Sequence, residues 1–280
     1  MPRYMRNSHS SSLFHFTRHQ EVIESILSTG LRVSYSGEQI TEDIFIGIPM
    51  ISFCDIPLHC CEEHREKYGD YAIGINKQWM IDYFGDLLSP VHYVLNETPI
   101  VGAYKHHNDY VKAEDALYSF MESKKNSGTK KAILNGPNGK IYEGYTGSLS
   151  SKEDLKVIKQ FNNILYAQDY ANYALGITKN YICEHKGKPF CAYDECEWRI
   201  VIPENRTIND TKSRWFWNKK DYLEWKTING NSFLGNVEID IPSEAINHIV
   251  VPNEQSIYNF KEVLVKIGKS ELSSKIVSIK

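Results

Sequence analysis

The chain has 280 residues, enough to bury a large core in one domain or in two small ones; with 41% hydrophobic and 24% charged residues, its composition excludes a disordered chain. The 32 basic and 35 acidic residues give a formal charge of −3, which excludes a global electrostatic footprint for nucleic acid but leaves room for a local basic patch. No window approaches the roughly 18–20 uninterrupted apolar residues of a membrane span, and the opening MPRYMRNSHSSS has no apolar signal-peptide core, so a cytoplasmic, non-membrane protein with reduced cysteines is expected.

After a polar segment over 1–12, the first element is LFHFT at Leu13–Thr17, whose alternation turns His15 away from Phe14 and Phe16. Thr17 and Gln20 fit a capping box for a helix that buries Val22, Ile23, Ile26 and Leu27, and Gly30 closes it. The chain then returns as LRVSYS. PMISFCDIPL, Pro49–Leu58, reads as an apolar strand with an abrupt exit, where Asp55 before Ile-Pro is expected to be an exposed turn former. A polar helix through Lys67, the strand YAIGIN, the helix KQWMIDYF and the strand PVHYV follow, an α+β order.

Residues 96–180 read as an insertion. Asn108–Asn126 has the pattern of a polar helix, NSGTKKAILNGPNGK that of a turn or exposed hairpin, and Ser151 opens a second helix with Leu155, Ile158, Phe161 and Leu165 near one face. The last hundred residues are strand-rich: ICEHKGKPF, AYDECEWRIVIP, NVEIDIP and INHIVVP precede a helix with Phe260, Val263, Leu264 and Ile267, then SKIVSIK. With no internal repeat and no convincing linker, 13–280 is expected to form one α+β domain, its mixed or antiparallel split sheet flanked by helices.

Three stretches distant in sequence suggest one pocket: His15 in its strand, the Pro49–Leu58 block, and DECEWRIVIP, which sets Glu197 and Arg199 on one strand face. Each has a structural alternative. A strand histidine is commonly a hydrogen-bonded structural residue, and Glu197 with Arg199 can be a same-face ion pair. Cys54 as a nucleophile would need His59 or His64 as its base, and Asp55, His59, Cys60 and His64 share a helical face that could ligate a metal, although small buried thiols explain the cysteines as well. Cys191 and Cys196 have no second pair to complete a zinc site, so no metal is expected.

The ordered blocks FHFT, the helix ending in IL-x-x-GL, PMISFCDIPL, YGDYAIGINKQW and YDECEWRIVIP, from about Leu13 to Pro252, resemble the AbiGi family of bacterial abortive-infection (phage-resistance) proteins. The resemblance implies the antitoxin member of a two-gene system whose toxin partner resembles a nucleotidyltransferase. The order of elements also resembles the ADP-ribosyltransferase fold, as in DNA-modifying thymidine transferases, where a first strand ends in His-x-Thr and a late strand delivers a glutamate.

That second resemblance implies NAD as substrate, with Glu197 and His15 as catalytic residues and a nucleic acid or a protein as acceptor. It implies NAD contacts from His15, Thr17, Ser52, Phe53, Tyr68, Tyr71 and Arg199: a ribose hydrogen bond from His15, an aromatic wall from Phe53, Tyr68 or Tyr71, and phosphate contacts from Arg199 and from the helix N-terminus at Thr17. No second catalytic arginine is evident in the early strand; Arg18 and Arg32 are candidates by position only. The alternative is a non-catalytic antitoxin or sensor scaffold that binds its partner.

Overall fold

A computed structural model describes residues 10–105, 130–135, 141–146 and 170–279, except 205, 209 and 230–232. In chain order its first half contains β1 (Ser12–Thr17), α1 (Gln20–Thr29), β2 (Leu31–Gln39), β3 (Phe45–Cys54), α2 (Glu62–Tyr68), β4 (Tyr71–Asn76), α3 (Lys77–Phe84), β5 (Leu88–Pro90), β6 (His92–Val94) and α4 (Pro99–Lys105). There follow β7 (Lys130–Asn135), β8 (Ile141–Thr146), β9 (Thr178–Asn180), β10 (Ile182–His185), β11 (Lys188–Cys191), β12 (Glu197–Val201), β13 (Thr207–Ile208) and β14 (Thr211–Lys212). The last elements are α5 (Lys219–Asn229), β15 (Phe233–Ile239), β16 (Ile246–Val251), α6 (Glu254–Lys266) and β17 (Ile276–Ser278).

Nine strands form one mixed sheet in the order β15-β2-β3-β1-β4-β16-β17, with β12 on β3 and β5 on β12; only β16 and β17 run parallel. The register explains how this sheet splits. Met50 pairs with both Ser34 of β2 and Val201 of β12, and Cys54 pairs with both Phe14 of β1 and Glu197 of β12, so β12 holds one edge of β3 from Met50 to Cys54. On the other edge β2 pairs as far as Met50 and β1 takes over only at Cys54. Ile51–Phe53 therefore face a gap where β1 and β2 part.

Alternating apolar side chains tie the helices to this sheet. Ile23, Ile26 and Leu27 of α1, Met80 and Phe84 of α3, and Phe260 and Leu264 of α6 join Leu13, Val33, Ile73, Ile75 and Ile249 in the largest cluster. A second cluster gathers Ile46, Ile48, Met50, Val201 and Trp215 beneath Val101 and Tyr104 of α4 and Leu175 of the helical residues 170–176. A third, smaller one joins Phe14, Cys54, Ala72 and Val250. The split in the sheet lies where the three meet.

The strand YAIGIN and the helix KQWMIDYF have the expected bounds, and the described residues form a mixed α/β fold with helices flanking the sheet. The NSGTKKAILNGPNGK region contributes to an antiparallel pair, β7 with β8. The helices expected over Asn108–Asn126 and from Ser151 lie outside the described residues.

Three local expectations are corrected. β1 begins at Ser12, fully buried, so the last of the polar N-terminal residues already belongs to the sheet. The N-cap of α1 is His19 rather than Thr17, with no side-chain cap; Thr17 Oγ1 only accepts a long 3.5 Å bond from the His19 amide, and Gln20 bonds Glu24 within the helix. PVHYV is two short strands, β5 on β12 and β6 parallel to β9, because Val91 breaks away to donate to Glu197 O. Gly30 closes α1 as expected. Its φ of +102° and a Cβ position only 2.5 Å from Ile239 O leave space for no side chain.

Candidate functional site

The gap in the sheet opens into a cavity of about 240 Å³ lined by His15, Ser36, Glu38, Ser52, Phe53, Tyr68, Lys179 and Glu197, among others. A second cavity of about 410 Å³ runs under α1 past Ser25, Gly30 and Arg32 and shares His15, Ser36, Met50 and Ser52 with the first. His15 and Glu197, 182 positions apart in the chain, thus line one cleft. They reach it from β1 and β12, the strands that flank the two edges of β3 at Cys54.

His15 fills the gap itself. Its Nδ1 lies 2.9 Å from Ser52 O, on the edge of β3 that lacks a strand partner, so it donates to that carbonyl. Burial lowers its pKa, against the smaller effect of the Ser52 bond, and keeps the ring neutral near pH 7. In that tautomer Nε2 is a lone-pair acceptor, and it has no hydrogen-bond partner among the described residues. Phe53 packs edge-on against the ring, 5.9 Å between centroids.

Glu197 is 8% exposed and held on both oxygens. Oε1 accepts from Ser52 Oγ at 2.8 Å and Arg199 Nε at 2.7 Å, while Oε2 accepts from Lys179 Nζ at 2.8 Å. Burial opposes its charge, but the Arg199 and Lys179 cations outweigh that cost and hold the carboxyl well below the usual carboxylate range. Glu195, 3% exposed, accepts from the same Lys179 at 2.7 Å and from Tyr68 Oη at 2.7 Å. Lys67 stands 3.5 Å from it.

A local backbone feature aims both carboxylates inward. Residues Ala192–Glu195 form a 3-10 turn, and Cys196 then adopts the left-handed region, φ +44° and ψ +47°, before β12 begins. That conformation costs a non-glycine residue roughly 1–2 kcal/mol. It is fixed by the Asp55 amide, which donates to Cys196 O at 3.0 Å.

Asp55 itself is 2% exposed, pairs with Lys77 and accepts from the Ser10 amide at 2.9 Å; the expected exposed turn residue is a buried ion pair. Cys54 lines the cavity, but burial pushes its thiol well up, so it is held protonated. His64 packs edge-on against Phe16 and tilted against Tyr68, at 5.0 and 4.5 Å between centroids, and burial lowers its pKa to about 4.

Of the sequence-derived candidates, His15, Ser52, Phe53, Tyr68 and Glu197 line the cleft. Thr17 and Tyr71 pair with each other at the end of the β1–β4 ladder and line neither cavity. Arg199 is fully buried behind Glu197, bonded to it, to Glu38 at 3.2 Å and to Gly176 O at 3.2 Å. Its guanidinium orients carboxylates and lines neither cavity. Glu38, Lys179 and Glu195 were not foreseen. Glu195 carried a readable signal, two residues before Glu197; Lys179 carried none, because its partners come from a different sheet.

These features define an α/β protein with a polar cleft at a sheet split, one wall a neutral imidazole and the other a carboxylate cluster paired with Lys179, Arg199 and Lys67. The family model provisionally described as abortive phage resistance protein AbiGi, antitoxin, matches residues 35–252, and the chain belongs to that family. β1 and His15 precede the matched region. No curated protein and no solved structure matches the chain. Among the described residues, no helix is long and apolar enough to cross a membrane.

Proposed function

We propose that this abortive-infection protein acts through its cleft as an NAD-dependent ADP-ribosyltransferase or a close derivative of one. The supporting observation is that His15 Nε2, an acceptor with no hydrogen-bond partner among the described residues, and the fixed Glu197 carboxylate line the same cavity. A ribose offers hydroxyl donors to both. The two cavities, about 240 and 410 Å³, share His15, Ser36, Met50 and Ser52 and are of the size class of small-molecule sites.

In the transfer, the bond from the anomeric carbon to the nicotinamide nitrogen breaks and nicotinamide leaves with the bonding pair. The acceptor's nucleophilic atom bonds that carbon and gives its proton to solvent. Glu197 stabilises the oxocarbenium character that develops there, and Phe53 and Tyr68 wall the leaving ring. Full-length protein incubated with NAD is expected to release nicotinamide and to transfer label to DNA, RNA or protein. Glu197→Gln is expected to lower that rate by at least ~100-fold, while no release by the wild-type chain would overturn the reading.

A second reading has its own support: the family description names an antitoxin, and every oxygen of Glu197 is already engaged by the protein's own donors. In that case the cleft is a structural knot and the protein works by holding its toxin partner. Absence of NAD binding, together with stable co-purification with the toxin of the paired gene, would favour it.

A further inference from the structure

The larger cavity, about 410 Å³, has a lining that the transfer chemistry does not use. Along β2 and β3 successive side chains alternate between the two faces of the sheet. Ser34, Ser36, Met50 and Ser52 reach the cavity from one face, and Leu31 and Ile51 from the other, where Val22 and Ile26 of α1 meet them. The cavity therefore passes through the split in the sheet, from beneath α1 to the face that carries Glu197.

Its polar groups are unmatched within the protein. Ser25 of α1 and Ser34 and Ser36 of β2 are half-buried, and their hydroxyls make no hydrogen bond among the described residues. By contrast, Ser12 accepts from Asn247 at 2.9 Å, Ser52 donates to Glu197 at 2.8 Å and Ser213 donates to Pro203 O. His15, whose Nε2 acceptor also has no partner among the described residues, stands on the same lining. Arg32, the one Lys or Arg among the described lining residues, is bonded to Glu238 at 2.9 Å, and Glu21 adds an opposing charge.

That lining selects its ligand by elimination. A hydrocarbon would leave three hydroxyls and an imidazole nitrogen without partners. An anion would find only Arg32, which Glu238 already holds. A free sugar would press hydroxyls against the aliphatic side chains of Val22, Ile26 and Ile51. A flat heterocycle with apolar faces and a polar edge, joined to a ribose, meets every part of it. We propose that the cavity under α1 is a nucleoside site: the uncharged base lies between the aliphatic residues of α1 and β3, and its polar edge and the ribose engage Ser25, Ser34, Ser36 and His15. The proposal goes beyond the transferase reading, because it rests on this lining alone. The same chemistry is offered by a free nucleoside and by the adenosine end of a dinucleotide.

The test is titration calorimetry of the full chain with adenosine, AMP and NAD. Adenosine is expected to bind one per chain, and AMP to bind within ~3-fold of it, since the mouth offers no unopposed cation. Ser34→Leu, which fills the cavity from β2, is expected to weaken adenosine at least ~10-fold. Ser28→Ala, on the exposed side of α1, is expected to leave it unchanged. Should Ser34→Leu not fold, Ser25→Leu fills the same space from α1. No binding of millimolar adenosine to the wild type, or binding that a folded filling variant leaves intact, overturns the site. If NAD binds and displaces adenosine, the nucleoside is the adenosine end of a dinucleotide; if adenosine binds and NAD does not, the site takes a free nucleoside and the transferase reading falls. If NAD binds, adenosine does not and Ser34→Leu leaves NAD binding as it was, the nucleoside site falls and the transferase reading stands.

Discussion

His64 shows how burial converts one residue into a pH response. Packed between Phe16 and Tyr68 and short of solvent, its imidazole is held to about 4, against an unfolded value near 6.5. The folded pKa is the lower one, so protonation favours the unfolded chain: the contribution is complete above about pH 6.5 and is lost as the pH falls towards 4. The wild type should therefore lose ~2 kcal/mol through this residue between pH 7 and 5. Urea unfolding of His64→Gln over the same range should show a correspondingly shallower loss; parallel curves for the two proteins would contradict the assignment. Glu197 behaves in the opposite sense to a neutral buried acid. Its folded pKa is depressed, so its contribution is present above the ordinary carboxylate range and is lost only in strong acid.

At the scale of elements, short connections set the cleft's geometry. The α1–β2 connection is one residue long, and Gly30 makes it with a left-handed φ and a Cβ direction blocked by Ile239 O of β15. Gly30→Ala is expected to destabilise the protein by at least ~2 kcal/mol, from strain plus a displaced edge strand, as read by chemical denaturation. A change under ~0.5 kcal/mol would mean that β15 shifts freely. Cys196 plays a comparable part at the other wall: its left-handed backbone lets Glu195 and Glu197 converge although they come from a 3-10 turn and a strand.

For the molecule as a whole, stability is expected to be uneven. β1, β3 and β4 are central in the sheet and carry fully buried residues on both faces, such as Leu13 and Phe14, Ile48, Ile73 and Ala72. The β10–β11 hairpin forms a separate two-stranded sheet, turns through Lys186 and Gly187 with positive φ, and exposes Ile182. Amide hydrogen exchange should therefore be slowest in β3 and β4, at rates set by global unfolding, and faster in β10–β11 by at least ~100-fold. Uniform protection across both sheets would show that the hairpin is part of the cooperative core.

The sequence by itself determined the local elements whose signal is periodic or punctuated: the alternation in LFHFT, the helical spacing before Gly30, the YAIGIN strand and the apolar stripe around Phe260 and Leu264. It also paired Glu197 with Arg199, because residues two apart on a strand project together. Other features were decided only in three dimensions. Asp55 is buried because Lys77 and the Ser10 amide meet it there, and Thr17 is no cap because the helix starts later. Lys179 enters the carboxylate cluster because β9, paired with β6 outside the main sheet, carries it there. Charges brought together from separate strands leave no mark on sequence spacing, since it is the strand register, fixed by the burial of entire faces, that decides which of them meet.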